Sequence, residues 1–210
     1  MRTVTLSFLL VAAAGFGWAQ QWEFGGGAGA GFLSNVGVSS AMPPATAGFQ
    51  TGVVLGAFAS ENLNAHLSGE IHYEFMQNNL KLSSGGSDAT FSGQAHLMHY
   101  DFVYHTHRRG KREFYLVAGG GVKFFLGTGA EQAYQPLSQY GYFTKTHDLK
   151  PMVSVGVGMR YAIGDNLFLR TEIRDYITGF PTDVIAPAPG TTYGTILNDF
   201  VPSVGLSFLF

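Results

Sequence analysis

Hydrophobic and polar residues alternate one by one over much of this chain, and the alternation is clearest from 150 to 177. Leu149, Pro151, Val153, Val155, Val157, Met159 and Tyr161 fall on one face, and Lys150, Met152, Ser154, Gly156, Gly158 and Arg160 on the other. After Gly164-Asp165-Asn166, the residues Leu167, Leu169, Thr171, Ile173 and Ile177 oppose Phe168, Arg170, Glu172, Arg174 and Tyr176. Period two marks extended strands, because successive side chains leave a pleated backbone on opposite sides. The segment therefore reads as a hairpin. Its apolar face is long and unbroken, whereas its other face is small or charged. That is the pattern of a barrel with lipid outside and a crowded polar lumen within.

The same rhythm predicts eight strands: 22–32, 49–60, 65–77, 94–106, 112–127, the two arms of the 150–177 hairpin, and 199–210. Each is about long enough for the 9 to 11 tilted residues that cross a bilayer core. Strand one turns Trp22, Phe24, Ala28, Ala30 and Phe32 outward and four glycines inward. Strand two turns Phe49, Val53, Leu55 and Ala57 outward. In strand three His66, Ser68, Glu70, His72 and Glu74 face the lumen, and in strand four His99, Asp101 and His105 do. Short connections at 61–64, 107–111 and 164–166 alternate with long ones at 34–46, 78–92, 128–148 and 179–197. Outer-membrane barrels have short periplasmic turns and longer external loops. The expected architecture is all-β, an eight-stranded antiparallel up-and-down transmembrane barrel with both termini in the periplasm.

Charge sets the orientation of the faces. Turning the strand of Arg170 and Arg174 over would put both in lipid, at roughly 2 to 4 kcal/mol each at mid-bilayer. The inward charges read from the alternation are Glu70, Glu74, Asp101, Glu113 and Glu172 against Lys123, Lys150, Arg160, Arg170 and Arg174. Eight strands leave an interior just wide enough for side chains. Five acids and five bases there form a plug of ion pairs rather than an open pore. Outward aromatics such as Trp22, Phe24, Tyr73, Tyr104, Tyr161 and Phe208 supply the interfacial girdles.

Composition adds limits. Residues 1–19, with Arg2, an apolar run and small residues at Gly17 and Ala19, read as a secretory signal peptide for Sec-type export. The apolar run falls short of the roughly 20 residues of a spanning helix. Residues 20–210 are then a single barrel domain in the cell outer membrane. A net charge of −2 gives no reason to expect nucleic acid as a partner. Absence of cysteine excludes disulfides and thiolate metal sites.

Two stretches carry a family likeness. Gly158-Met159-Arg160-Tyr161-Ala162-Ile163, followed by Gly164-Asp165-Asn166-Leu167-Phe168-Leu169-Arg170-Thr171-Glu172-Ile173-Arg174, resembles the penultimate hairpin of the outer-membrane protein A-like family of small barrels. Val204-Gly205-Leu206-Ser207-Phe208-Leu209-Phe210 resembles that family's closing strand. The resemblance implies that Phe208 and Phe210 form the signal read by the barrel assembly machinery. The chain stops at this strand, so the family's periplasmic peptidoglycan-binding domain, and its anchoring role, are not expected.

Four lumen histidines, His66, His72, His99 and His105, are the residues closest to a metal set, with His66 opposite His105 and His72 opposite His99 if strands three and four pair about their loop. Metal-binding histidines need convergent geometry and second partners, so they are read as members of the plug, with no metal or cofactor assigned. No lipase-type or barrel-deacylase motif surrounds any serine, so the chain is read as non-enzymatic. His107-Arg108-Arg109-Gly110-Lys111-Arg112 is read as a solvated basic turn, and the Tyr- and Gln-rich loop 128–148 as a surface that suits an unknown extracellular ligand. The resulting expectation is a monomeric integral barrel in outer-membrane lipid that contributes to envelope structure or surface interaction. Its rivals are a narrow porin-like channel, a soluble lipocalin-like carrier and a lipid-modifying barrel enzyme.

Overall fold

The computed structural model describes residues 21–39, 43–127 and 135–210, so the expected signal peptide lies outside the described residues. In chain order the strands are β1 (Trp22–Leu33), β2 (Val36–Val38), β3 (Ala45–Phe49), β4 (Gly52–Asn62), β5 (Leu67–Gln77), β6 (Leu80–Ser84) and β7 (Ser87–Phe91). There follow β8 (Gly93–His105), β9 (Arg112–Gly127), β10 (Gly141–Phe143), β11 (His147–Ala162), β12 (Leu167–Gly179), β13 (Ile185–Pro187) and β14 (Ile196–Leu209).

Eight of these close a barrel in the order β1-β14-β12-β11-β9-β8-β5-β4, every neighbouring pair antiparallel. Closure removes the exposed strand edge that would otherwise invite pairing with other chains. Burial follows the alternation. Val153, Val155 and Val157 are exposed while Ser154, between them, is buried. Ile71, Met98, Phe102, Phe114, Leu116, Ile173, Val204 and Leu206 join them in a continuous outward apolar belt. A soluble monomer rarely exposes more than a few hundred Å² of contiguous apolar surface.

Two close approaches show why small residues occupy the wall. A Cβ on Gly158 would lie 2.2 Å from the Tyr115 ring, which fills the lumen beside it. On the outside the Tyr100 ring lies over Gly69, where a Cβ would meet its hydroxyl at 1.9 Å. Pro202 lies well inside β14. Pairing of β1 with β14 lapses there, between Gly29↔Ser203 and Phe32↔Phe200, because proline brings no N–H to the ladder.

The long connections are not simple loops. They contain a four-stranded sheet, β2-β3-β6-β7, and a two-stranded sheet, β10-β13, at the end of the barrel opposite the termini. The β6–β7 hairpin turns at Gly85 and Gly86, both with positive φ (56° and 82°), as a two-residue Gly-Gly turn demands. Their apolar faces cap the barrel. Leu80, Leu82, Phe143 and Ile185 from these sheets pack in one cluster with Met76, Leu97, Phe125 and Leu197 from the barrel's inner face. The lumen is therefore polar in one half only, and apolar in the half beneath the cap. Phe49, expected to face outward in a barrel strand, instead ends β3 and is buried in this cluster, 5.5 Å from the Phe125 ring.

The cap also uses residues read above as recognition groups. The buried Gln135 amide donates to the Phe143 carbonyl at 2.9 Å and accepts from the Phe143 N–H at 2.9 Å. Tyr140 is buried, while Tyr142 is exposed. Burial raises the pKa of the Tyr193 hydroxyl above the ordinary phenol range, and that hydroxyl donates to the Ala186 carbonyl at 3.1 Å.

Candidate functional site

The functional residues sit in the polar half of the lumen, on strands that the alternation aims inward. Arg170 on β12 donates to Glu70 on β5 through both terminal nitrogens, at 2.9 and 3.2 Å. Its guanidinium lies 4.2 Å from the Phe58 ring centre and 4.8 Å from that of Tyr115. Arg174, one of the most deeply buried side chains, pairs with Asp101 and Glu172. Arg160 pairs with Glu23 and, at 3.0 Å, with Glu113. Pairing of this kind is what lets charge be buried at all, since a lone charge in such an interior would cost several kcal/mol.

Three of the ten expected lumen charges lie apart from these guanidinium-centred pairs. Lys150 pairs with Asp148 at 2.9 Å, partly exposed near the long-connection end. Lys123, fully buried, pairs with Asp199 and lies 4.8 Å over the Phe125 ring at the border of the apolar half. Glu74 accepts from the Tyr176 hydroxyl at 2.7 Å and reaches no basic side chain among the described residues. Three buried acids were missed: Glu23, Asp148 and Asp199. Parity contained the signal for two of them, because Glu23 lies between outward Trp22 and Phe24, and Asp199 precedes outward Phe200.

The four lumen histidines pair as the strand register dictates. His72 stands opposite His99, and the His105 N–H donates to the His66 carbonyl at 2.8 Å. The His72 and His99 rings stack with centroids 4.8 Å apart and planes 5° from parallel. Each donates to a carboxylate on its own strand, His72 Nε2 to Glu70 and His99 Nδ1 to Asp101, both at 2.9 Å.

A second arrangement has the order of a hydrolase relay. Ser68 Oγ lies 2.8 Å from His105 Nε2, and His105 Nδ1 donates to Glu113 at 2.6 Å. Nucleophile, base and orienting acid would be in line. Ser68, however, has no exposed surface, and Arg160 also holds Glu113. The relay is a hydrogen-bond brace between β5, β8 and β9.

The fold matches known structures. The outer-membrane protein OprG from Pseudomonas aeruginosa superposes with a TM-score of 0.57 at 12% identity, over 91% of this chain and 96% of that one. Neisserial surface protein A matches with a TM-score of 0.52 at 15% identity, over 91% and 99%. Ail of Yersinia pestis, in its complex with sucrose octasulfate, matches with a TM-score of 0.51 at 8% identity, over 91% and 99%. This is the fold of the small outer-membrane barrels. No protein-family model matches the chain, and no curated protein does. On this fold the apolar belt faces outward and the charged half of the lumen lies inside. The closing strand β14 ends beside β1, where the Phe210 N–H donates to the Trp22 carbonyl at 2.8 Å and the Phe210 ring meets Phe24 at 5.7 Å.

Proposed function

We propose that this chain is a monomeric integral outer-membrane protein, exported to the cell surface, whose sealed barrel contributes to envelope structure. Its capping sheets present an external surface for interaction. The termini and the basic turn carrying Arg108 and Arg109 face the periplasm, and Phe208 and Phe210 are the segment read by the assembly machinery.

One observation carries this reading. The lumen is closed twice, by the ion-pair layer around Arg160, Arg170 and Arg174 and by the apolar cluster under the cap. A solute path would need both to open. The exterior is apolar, the opposite of what a lipocalin-like carrier requires. Enzymatic activity is not proposed, since the Ser68 relay has no access for a substrate.

Planar-bilayer recording of the purified protein tests the seal. Conductance at the background of the bare membrane is expected; steady unitary steps would favour the narrow channel. Proteolysis of intact cells should cut within the long connections and spare the 107–111 turn. Cleavage at that turn from outside would reverse the orientation.

A further inference from the structure

We propose that His72, His99 and Glu74 form a lumen site for one divalent transition-metal cation of the zinc class. One ring nitrogen from each histidine and one Glu74 oxygen lie within 4.8 Å of one another. Two imidazoles and a carboxylate are a common zinc donor set, leaving a fourth position for water.

Three further observations point to a cation. His99 is almost wholly buried, and its Nε2 has no hydrogen-bond partner among the described residues; Glu74 Oε2 is likewise buried and unpartnered. Unpaired buried polar atoms are rare and expensive, and here two belong to the same candidate donor set. The outer partners are also in place. Asp101 accepts a hydrogen bond from His99 Nδ1–H, which leaves the lone pair on Nε2, while Glu70 accepts from His72 Nε2–H, which leaves it on Nδ1. A carboxylate behind a ligating histidine fixes its tautomer and raises its basicity.

Charge gives the third observation. Glu70, Asp101 and Glu172 hold the guanidiniums of Arg170 and Arg174, and Glu74 stands in the same layer with only the Tyr176 hydroxyl as partner. Glu23 and Glu113 already share Arg160. Six carboxylates against three guanidiniums leave an excess of three negative charges, which one divalent cation would reduce to one. The unfavourable neighbour is Arg174, whose Nη2 lies 3.2 Å from His72 Nε2, but Asp101 and Glu172 hold that guanidinium. A cavity of about 60 Å³ reaches His72 and Glu74, room for a metal-bound water. Donors at about 2.0–2.2 Å from one ion stand no more than about 4.4 Å apart, so binding must draw the three groups together and turn the two stacked rings out of parallel.

The test is cobalt(II) and zinc(II) binding to the purified, folded protein in detergent. One equivalent of cobalt is expected, with visible absorption bands of nitrogen and oxygen ligation that zinc abolishes. H99Q and E74Q should each weaken binding about tenfold or more, on the scale seen when metal-site partners are lost. H96Q, at an outward histidine, should not. Gel mobility before heating checks that each variant is folded. Independently of any variant, zinc should shift the imidazole NMR signals of His72 and His99 in the unaltered protein. Absence of stoichiometric binding would overturn the site. So would undiminished binding in folded H99Q and E74Q, or loss of binding in H66Q or H107Q, whose rings lie 4.7 Å apart at the turn end.

Discussion

Arg170 and Glu70 meet across the full width of the barrel. Their strands, β12 and β5, stand four places apart in the ring of eight, and 100 residues separate them in the chain. The pair is a strut between opposite walls, and the Phe58 and Tyr115 rings flank its guanidinium. Removing one partner leaves a buried charge uncompensated. Arg170→Met should therefore destabilise the barrel by about 3–5 kcal/mol, and the double change with Glu70→Gln by clearly less. Urea unfolding from lipid vesicles measures both; equal losses in the single and double variants would mean the charges are not coupled.

The belt should respond to depth. Val155 is exposed near the middle of β11, and Ile163 is exposed at the short turn that follows it. Val155→Arg should cost about 2–4 kcal/mol in a bilayer, and Ile163→Arg about 0–1 kcal/mol. Equal penalties from the same unfolding assay would mean that the two positions do not differ in membrane depth.

Gly158 and Tyr115 share one volume. Because a Cβ at 158 would lie 2.2 Å from the ring, Gly158→Ala must displace it, at about 1–3 kcal/mol. In a Tyr115→Ala background the same change should be close to neutral. A penalty unchanged by the missing ring would place the strain elsewhere.

The Ser68-His105-Glu113 relay should be catalytically silent. No fluorophosphonate adduct is expected at Ser68, and Ser68→Ala should leave any background ester hydrolysis unchanged. Stoichiometric labelling of Ser68 in the folded protein would make the chain a hydrolase and undo the non-enzymatic reading.

Much of this was legible in the sequence, because membrane strands advertise themselves by parity. Val153 against Ser154, or Phe102 against Asp101, needs no tertiary information: each side chain's surroundings follow from its neighbour's. The histidine register followed from the loop about which β5 and β8 pair. What escaped was decided by longer-range contacts. Strands β2, β3, β6, β7, β10 and β13 are three to five residues each, too short for a periodic signal, although the Gly85-Gly86 turn between alternating arms was a readable hairpin mark. Phe49 has the parity of a lipid-facing residue and is buried only because the chain breaks at Gln50 and the preceding strand leaves the barrel for the cap. The apolar half of the lumen was hidden for the same reason. Leu97 and Phe125 point inward by parity, but only the capping sheets explain why an inward position should be greasy. In the candidate metal site, Glu74 looked like one more member of the ion-pair plug until its missing basic partner could be seen.

Side-chain orientation along β11 is the point on which all of this turns, and the chain's lack of cysteine makes it directly measurable. Single cysteines placed in turn from Val153 to Val157, spin-labelled in lipid vesicles, report accessibility to oxygen dissolved in the bilayer and to a water-soluble nickel chelate. Oxygen accessibility should rise at Val153, Val155 and Val157 and fall at Ser154 and Gly156, with the nickel reagent reaching none of the five. Flat profiles, or high nickel accessibility at the valines, would contradict a lipid-facing belt around a sealed, charged interior.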